Sequence, residues 1–231
     1  METDFAAVGR LLGNSARSTM VSALLNGVAL TATELAKAAG VGASTASEHL
    51  AMLVDGELAV VVSSGRHRYY QLASADVAQA LEALSLISPS TPTRSLRQSM
   101  DNRALAIART CYDHLAGDLG VALHDRLLGN GWLDPCVGGY AVTDAGRDGL
   151  ANVGVDVVAV ATQRRRFAYP CLDWTARRHH LAGGLAAAVT TQMLDRRWIR
   201  RTNGDRALRL TPEGEHQLNL LGVTACRRSC I

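Results

Sequence analysis

The sequence predicts a mainly α fold with small β-hairpins (α+β), and three observations carry that expectation. Apolar residues recur at helical spacing in short segments bounded by Gly and hydroxyl residues. A β-branched run and an aromatic run flank a Gly-containing turn, as in a hairpin. One supersecondary pattern recurs at an offset of 66 residues. The chain has 231 residues, 48% of them hydrophobic, which suits one large domain or two small ones and excludes a disordered or collagen-like chain. No apolar run approaches the roughly 18–20 residues of a membrane span; the longest, Val153 to Ala161, is broken by Gly154 and Asp156. Met1 to Val8 carries Glu2 and Asp4 and lacks the basic start of a signal peptide, so a cytoplasmic protein with five free thiols is expected.

The elements of the N-terminal part follow in order. Residues 16–25 place Met20, Val21, Leu24 and Leu25 on one helical face, and Asn26-Gly27 ends that helix. Thr33 is a good N-cap for a short helix, Glu34 to Ala39, terminated by Gly40. After the turn Val41-Gly42-Ala43, Ser44 can cap a second helix running to Asp55-Gly56. Leu58 to Ser63 and Tyr69 to Leu72 then form a hairpin around Ser64-Gly65 and an Arg-rich turn. A last helix spans Ala75 to about Leu86, with Val77, Leu81 and Leu84 on one side. Pro89 and Pro92, set among Ser and Thr, read as a linker over 89–98, dividing a domain of residues 1–88 from one of residues 99–231.

The second domain is read as a duplication, with repeats at about 106–152 and 172–221. Leu115-Ala116-Gly117-Asp118-Leu119 recurs as Leu181-Ala182-Gly183-Gly184-Leu185, preceded by His114 and His180. Trp132-Leu133 returns as Trp198-Ile199, and Thr143-Asp144-Ala145-Gly146 as Thr211-Pro212-Glu213-Gly214. Each copy reads as a long helix, a Trp at its exit, two short strands and a further helix.

Helix, tight turn, helix and hairpin together make a winged helix-turn-helix, and the second domain a duplicated, winged-helix-like, helix-plus-hairpin unit. The first turn of the second helix exposes small side chains, so its backbone can approach the floor of a major groove. Ser44, Thr45 and Ser47 can donate to or accept from bases and phosphates, with Glu48 and His49 following on the same helix. Arg66, His67 and Arg68 put cations where a wing meets the DNA backbone or minor groove. Net charge argues nothing for this domain: up to Ser88 five basic residues face eight acidic ones, whereas the remainder holds 19 basic and 13 acidic. DNA reading must rest on a few local residues.

The stretches Thr33-Glu34-Leu35-Ala36, Ser44-Thr45-Ala46-Ser47-Glu48-His49-Leu50 and Gly65-Arg66-His67-Arg68-Tyr69-Tyr70-Gln71-Leu72 resemble the ArsR/SmtB family of transcriptional repressors. The resemblance covers roughly residues 5–87. It implies a homodimer, with the first and last helices of the domain packing across a two-fold axis, that binds an inverted-repeat, double-stranded DNA operator and is released by an effector. It does not bring the family's metal sites with it. The helix before recognition, Glu34 to Ala39, has no cysteine, and the last helix has no histidine. Sensing is therefore expected in the second domain.

Candidate effector residues there are Cys111, His114, Cys171, Trp174, His179 and His180. Cys111 and His114 lie three apart, as do Cys171 and Trp174, which on a helix puts each pair on one face. Two readings stand side by side. One is a thiolate and imidazole site for a thiophilic metal or metalloid ion, or a redox pair of Cys111 with Cys171. The other is a small buried hydrophobe at each cysteine. Cys226 and Cys230 can chelate a soft metal ion or belong to a plain tail, and Cys136 has no partner by spacing. Arg164-Arg165-Arg166 can hold an anion or be a solvated connector. Trp132, Trp174 and Trp198 can line a ligand pocket or pack at strand starts.

No Gly-rich phosphate loop, nucleophile elbow or paired-His hydrolytic motif is present, so an enzyme is not expected. The function expected is a repressor with no membrane partner. The alternative is a constitutive DNA-binding or partner-binding protein whose second domain only dimerises.

Overall fold

The computed structural model describes residues 3–64, 67–89, 95–202 and 206–223. It has two compact units, Met1–Leu84 and Ser85–Ile231. In the first, α1 (Phe5–Leu12), α2 (Ser15–Leu24), α3 (Ala32–Ala39) and α4 (Ala43–Asp55) precede β2 (Ala59–Ser64), β3 (His67–Leu72) and α5 (Ala75–Ile87). A short strand, β1 (Leu30–Thr31), pairs antiparallel with β3, so the wing is a three-stranded sheet in the order β1-β3-β2. Met20, Leu24, Leu35, Ala46, Leu50, Leu53 and Leu72 are buried between these elements. The helical phase of the apolar residues sets this core.

Local chemistry moves two of the expected caps. The cap of α3 is Thr31, not Thr33: its hydroxyl accepts from the Glu34 N–H, and the Glu34 carboxylate accepts from the Thr31 N–H. Only Thr31 has a Glu three residues on, so only there does a reciprocal capping box close. The bonds from Thr31 lower the Glu34 pKa, so this stabilisation is complete above the ordinary carboxylate range and is lost as pH falls through it. Thr31→Ala should cost about 1 kcal/mol in thermal or urea unfolding, whereas Thr33→Ala should be near neutral. Equal effects would contradict the assignment. Ser44 is likewise no cap. Gly42 holds that position without a side-chain bond, and Ser44 lies inside the first turn of α4.

In the second unit, α6 (Leu96–Ile107) starts inside the stretch expected to be linker, because Ser95 caps it by accepting from the Gln98 N–H. Two copies of one pattern follow. The first is β4 (Arg109–Cys111), β5 (His114–Ala116), α7 (Gly117–Gly129), β6 (Leu133–Cys136), β7 (Gly139–Val142) and α8 (Asp144–Asn152). After α9 (Val157–Ala161) the second is β8 (Tyr169–Leu172), β9 (His179–Ala182), α10 (Gly184–Asp195), β10 (Ile199–Arg201), β11 (Leu208–Leu210) and α11 (Pro212–Leu220). Each copy therefore opens with a hairpin that periodicity did not show, since strands of three or four residues leave no periodic trace. The hairpins pack across the duplication: the Leu115 N–H of β5 donates to Thr190 of α10, and His124 of α7 bonds the His179 carbonyl of β9.

The recurring Trp and Gly residues have a common steric reason. A β-carbon at Gly146 would lie 2.2 Å from the Trp132 carbonyl oxygen, and one at Gly214 2.0 Å from that of Trp198. The capping hydroxyls of Thr143 and Thr211 accept from those same glycines. Leu119, Leu123, Leu150, Leu185, Val189, Met193, Trp198 and Ile199 share one core. The void beside Trp132 and Trp198 holds only about 20 Å³, room for no ligand larger than water.

Candidate nucleic-acid interface and buried Cys/His centre

On α4, Ala46 and Leu50 face the core, leaving Ser44, Thr45, Ser47 and Glu48 exposed on the outer face. The Ser47 hydroxyl donates to the Ala43 carbonyl at 2.9 Å, which fixes its oxygen outward as an acceptor. His49 is turned elsewhere: its Nδ1 lies 3.4 Å from Arg17, whose guanidinium also bonds the Leu11 and Arg10 carbonyls and so ties α1 to α4. His67 and Arg68 are exposed, but they sit on β3 opposite Ser64 and Ser63 rather than in a turn. Arg66 lies outside the described residues.

The second unit gathers Cys111, His114, Cys171 and His180 into one buried cluster whose ligand-type atoms all lie within 4.8 Å of one another. The two cysteines are 4.0 Å apart, Sγ to Sγ, and the two histidines 3.2 Å apart, Nε2 to Nε2. Cys111 and His114 are not on a helix. They face each other across the hairpin β4–β5, because Tyr112 and Asp113 form a tight turn with Tyr112 at φ 60°. Cys171 faces His180 in the same way across β8–β9. Trp174 lies instead in the loop under the Arg109 guanidinium, 4.8 Å away, and the His179 side chain is exposed on the opposite face of β9. Cys136 is exposed, and Cys226 and Cys230 lie outside the described residues.

Three residues of the centre were not singled out from the sequence: Asp113, Asp173 and Arg109. Asp113 stands 3.3 Å from Nδ1 of His114 and is held at 2.6 Å by Arg165. Asp173 stands 3.5 Å from Nδ1 of His180 and is held at 3.0 Å by Arg109, with both side chains of that ion pair fully buried. The signal existed as Cys-x-Asp…His-Leu-Ala-Gly in both copies. Two residues separate Cys111 from His114 and eight separate Cys171 from His180, so a fixed 66-residue offset hides the match. In the basic run, Arg165 thus serves Asp113 and Arg166 stacks on Tyr169 at 3.7 Å.

These contacts set the electrostatics. The hydrogen bond with Cys111, then those with His114 and His180, pull the Cys171 thiol far below its usual range against the opposing effect of burial. The same shared proton, together with burial, pushes Cys111 well up. Burial opposes charge on His114, yet Asp113 and Cys171 outweigh it and raise its pKa; at His180 burial wins and the pKa falls. The centre is a pair of hydrogen-bonded cysteines beside two imidazoles, each with a carboxylate near Nδ1.

Residues 14–59 match the model of a bacterial regulatory protein family, the arsR family. The uncharacterized HTH-type transcriptional regulator YdfF of Bacillus subtilis (strain 168) is 39% identical over 215 residues, 93% of this chain and 95% of its own. The chain belongs to the ArsR family. It is a helix-turn-helix transcriptional regulator. Two solved structures are similar over the N-terminal part. The homodimeric winged helix-turn-helix domain of Mb0332 from Mycobacterium bovis is 30% identical, covering 36% of this chain and 75% of its own with a TM-score of 0.33. The cadmium metal-sensor CMTR from Mycobacterium tuberculosis is 33% identical, covering 39% and 94% with a TM-score of 0.33. In this ArsR-family chain neither α3 nor α5 carries a cysteine or histidine, and the buried cysteine and histidine cluster lies in the second unit. Among the described residues no helix is long and apolar enough to cross a membrane.

Proposed function

We propose that the chain is a homodimeric, sequence-specific DNA-binding repressor of the ArsR type, bound to an inverted-repeat operator and modulated by an effector received in the second unit. The observation that carries this reading is the α4 surface. An outer face of Ser44, Thr45 and Ser47 on a helix anchored by buried Ala46, Leu50 and Leu53 admits close approach to base edges. Arg68 on the wing, with Arg66 before it, supplies phosphate contacts. Self-association is supported by apolar residues left exposed on the first and last helices of the unit: Phe5 on α1, and Leu84 and Ile87 on α5. The effector reading is supported by the clustering of Cys111, Cys171, His114 and His180 in one buried centre.

Sedimentation together with a gel shift on the DNA upstream of its own gene tests this. A dimer that shifts a discrete fragment is expected. Arg68→Ala should weaken operator and random DNA alike and flatten the salt dependence, whereas Ser47→Ala should erode discrimination by about 1 kcal/mol. No shift at any salt concentration would overturn the repressor reading. A shift indifferent to thiophilic ions, oxidants and small molecules would leave a constitutive DNA-binding protein whose second unit only dimerises.

A further inference from the structure

We propose that the second unit holds one zinc-class divalent cation in a tetrahedral site made by Cys111, His114, Cys171 and His180, which clamps its two repeats together. This deepens the proposed function and rests on it only for the claim that the ion is what the second unit receives. The spacing of the donors carries the inference. Metal–sulfur bonds of about 2.3 Å and metal–nitrogen bonds of about 2.0–2.1 Å around a tetrahedral ion set two sulfurs about 3.8 Å apart and two nitrogens about 3.3 Å apart. The observed separations are 4.0 Å and 3.2 Å. A disulfide would need the sulfurs at about 2.05 Å, about half the observed separation.

The surroundings point the same way. Each histidine turns Nδ1 toward a carboxylate, Asp113 or Asp173, and presents Nε2 to that of the other histidine. That is how outer carboxylates orient metal-binding imidazoles and fix their tautomer. Arg165 and Arg109 hold those carboxylates in turn, and Asp173 also accepts from the Gly117 N–H at 2.7 Å, where β5 of the other repeat enters α7. Two thiolates and two imidazoles suit zinc, cobalt(II) and cadmium, not the oxygen-seeking magnesium or calcium. Four protein ligands close the coordination sphere, so the site holds an ion and leaves no position for a reacting water. On binding, both cysteines coordinate as thiolates, and the thiol protons and that of any charged imidazole leave to solvent. No electron is transferred.

The test uses the full chain, stripped by a chelator under reductant and titrated with cobalt(II). One equivalent per chain should give the intense ligand-field bands of a tetrahedral ion with thiolate charge transfer, abolished by zinc. Cys171→Ser and His114→Gln should lose that spectrum, while Cys136→Ser and the double variant Cys226→Ser with Cys230→Ser should keep it. Circular dichroism reports whether each variant folds. Asp113→Asn keeps all four ligands and should retain the spectrum while weakening affinity about 10- to 100-fold. Sub-stoichiometric binding, an octahedral spectrum, or a spectrum that survives Cys171→Ser would overturn the inference. So would a Cys111–Cys171 disulfide in the protein as isolated. A gel shift on the same samples separates the two readings: a protein that shifts operator but takes up no cobalt(II) defeats only the site, and one that takes up cobalt(II) but shifts operator neither with nor without it defeats only the repressor.

Discussion

Replacing Arg109 by methionine should destabilise the second unit by about 3–5 kcal/mol. Arg109 and Asp173 are both fully buried, with Nη2 3.0 Å from Oδ2, and Arg109 also reaches Thr175 at 3.1 Å. Methionine fills similar volume but removes the guanidinium charge 3.0 Å from the Asp173 carboxylate. What remains around Asp173 are the N–H groups of Thr175, Ala176 and Gly117 and the Thr175 hydroxyl, which are partial charges, and the His180 ring at 3.5 Å, on which burial opposes charge. The cost is therefore that of an uncompensated buried anion, not of one lost contact. Arg109→Lys should recover only part of it, since an ammonium cannot reproduce the fork that spans Asp173 and Thr175. Trp132, Trp174 and Trp198 all lie in the second unit, so tryptophan emission during urea unfolding reads this loss directly. A loss below about 1 kcal/mol would mean that the pair contributes no more than an exposed one.

Leu50→Ala should cost about 2–5 kcal/mol in the first unit. Leu50 has no exposed surface, and it stands with Ala46 and Leu53 on the inner face of α4, the face that anchors the helix proposed to read DNA. Removing its branched end leaves a cavity whose walls are helix backbone and other fully buried side chains, which limits collapse. No tryptophan reports on this unit, so amide exchange across α2 to α4 is the measurement. Those amides should lose protection while the exposed residues of α4 stay chemically unchanged. Undiminished protection would show that α4 is held by contacts other than its apolar face.

Leu50 and Arg109 mark the two ends of what could be read without coordinates. Leu50 was legible because helical spacing places it beside another apolar residue, Leu53, on one face. The same rule found α2, α4 and α5, a β-branched run before a Gly-containing turn found the hairpin of the first unit, and the 66-residue recurrence found the long helices, Trp exits and second hairpins of the other. It failed where an element was too short to carry a period. Cys111 and His114 took a helical reading because three residues apart is a helical neighbour distance. A two-residue turn brings the same pair face to face across strands, and nothing in the spacing distinguishes the two. The caps went wrong for a similar reason. Thr31 and Thr33 are equivalent as residue types, and only the reach of Glu34 back to one of them decides.

The sequence by itself determined the ArsR reading head, its helix phases, the small-residue first turn of α4 and the existence of a duplication. All of these depend on neighbours within a few residues or on plain recurrence. Only the tertiary structure decided that Cys111, His114, Cys171 and His180 form one centre, with Asp113 and Asp173 behind the histidines and Arg165 and Arg109 behind the carboxylates. The pairing of Cys111 with Cys171 spans 60 residues and that of His114 with His180 spans 66. Contacts at such separations depend on how each hairpin packs on the helix of the other repeat, and burial there makes charge partners obligatory that an exposed chain would not need.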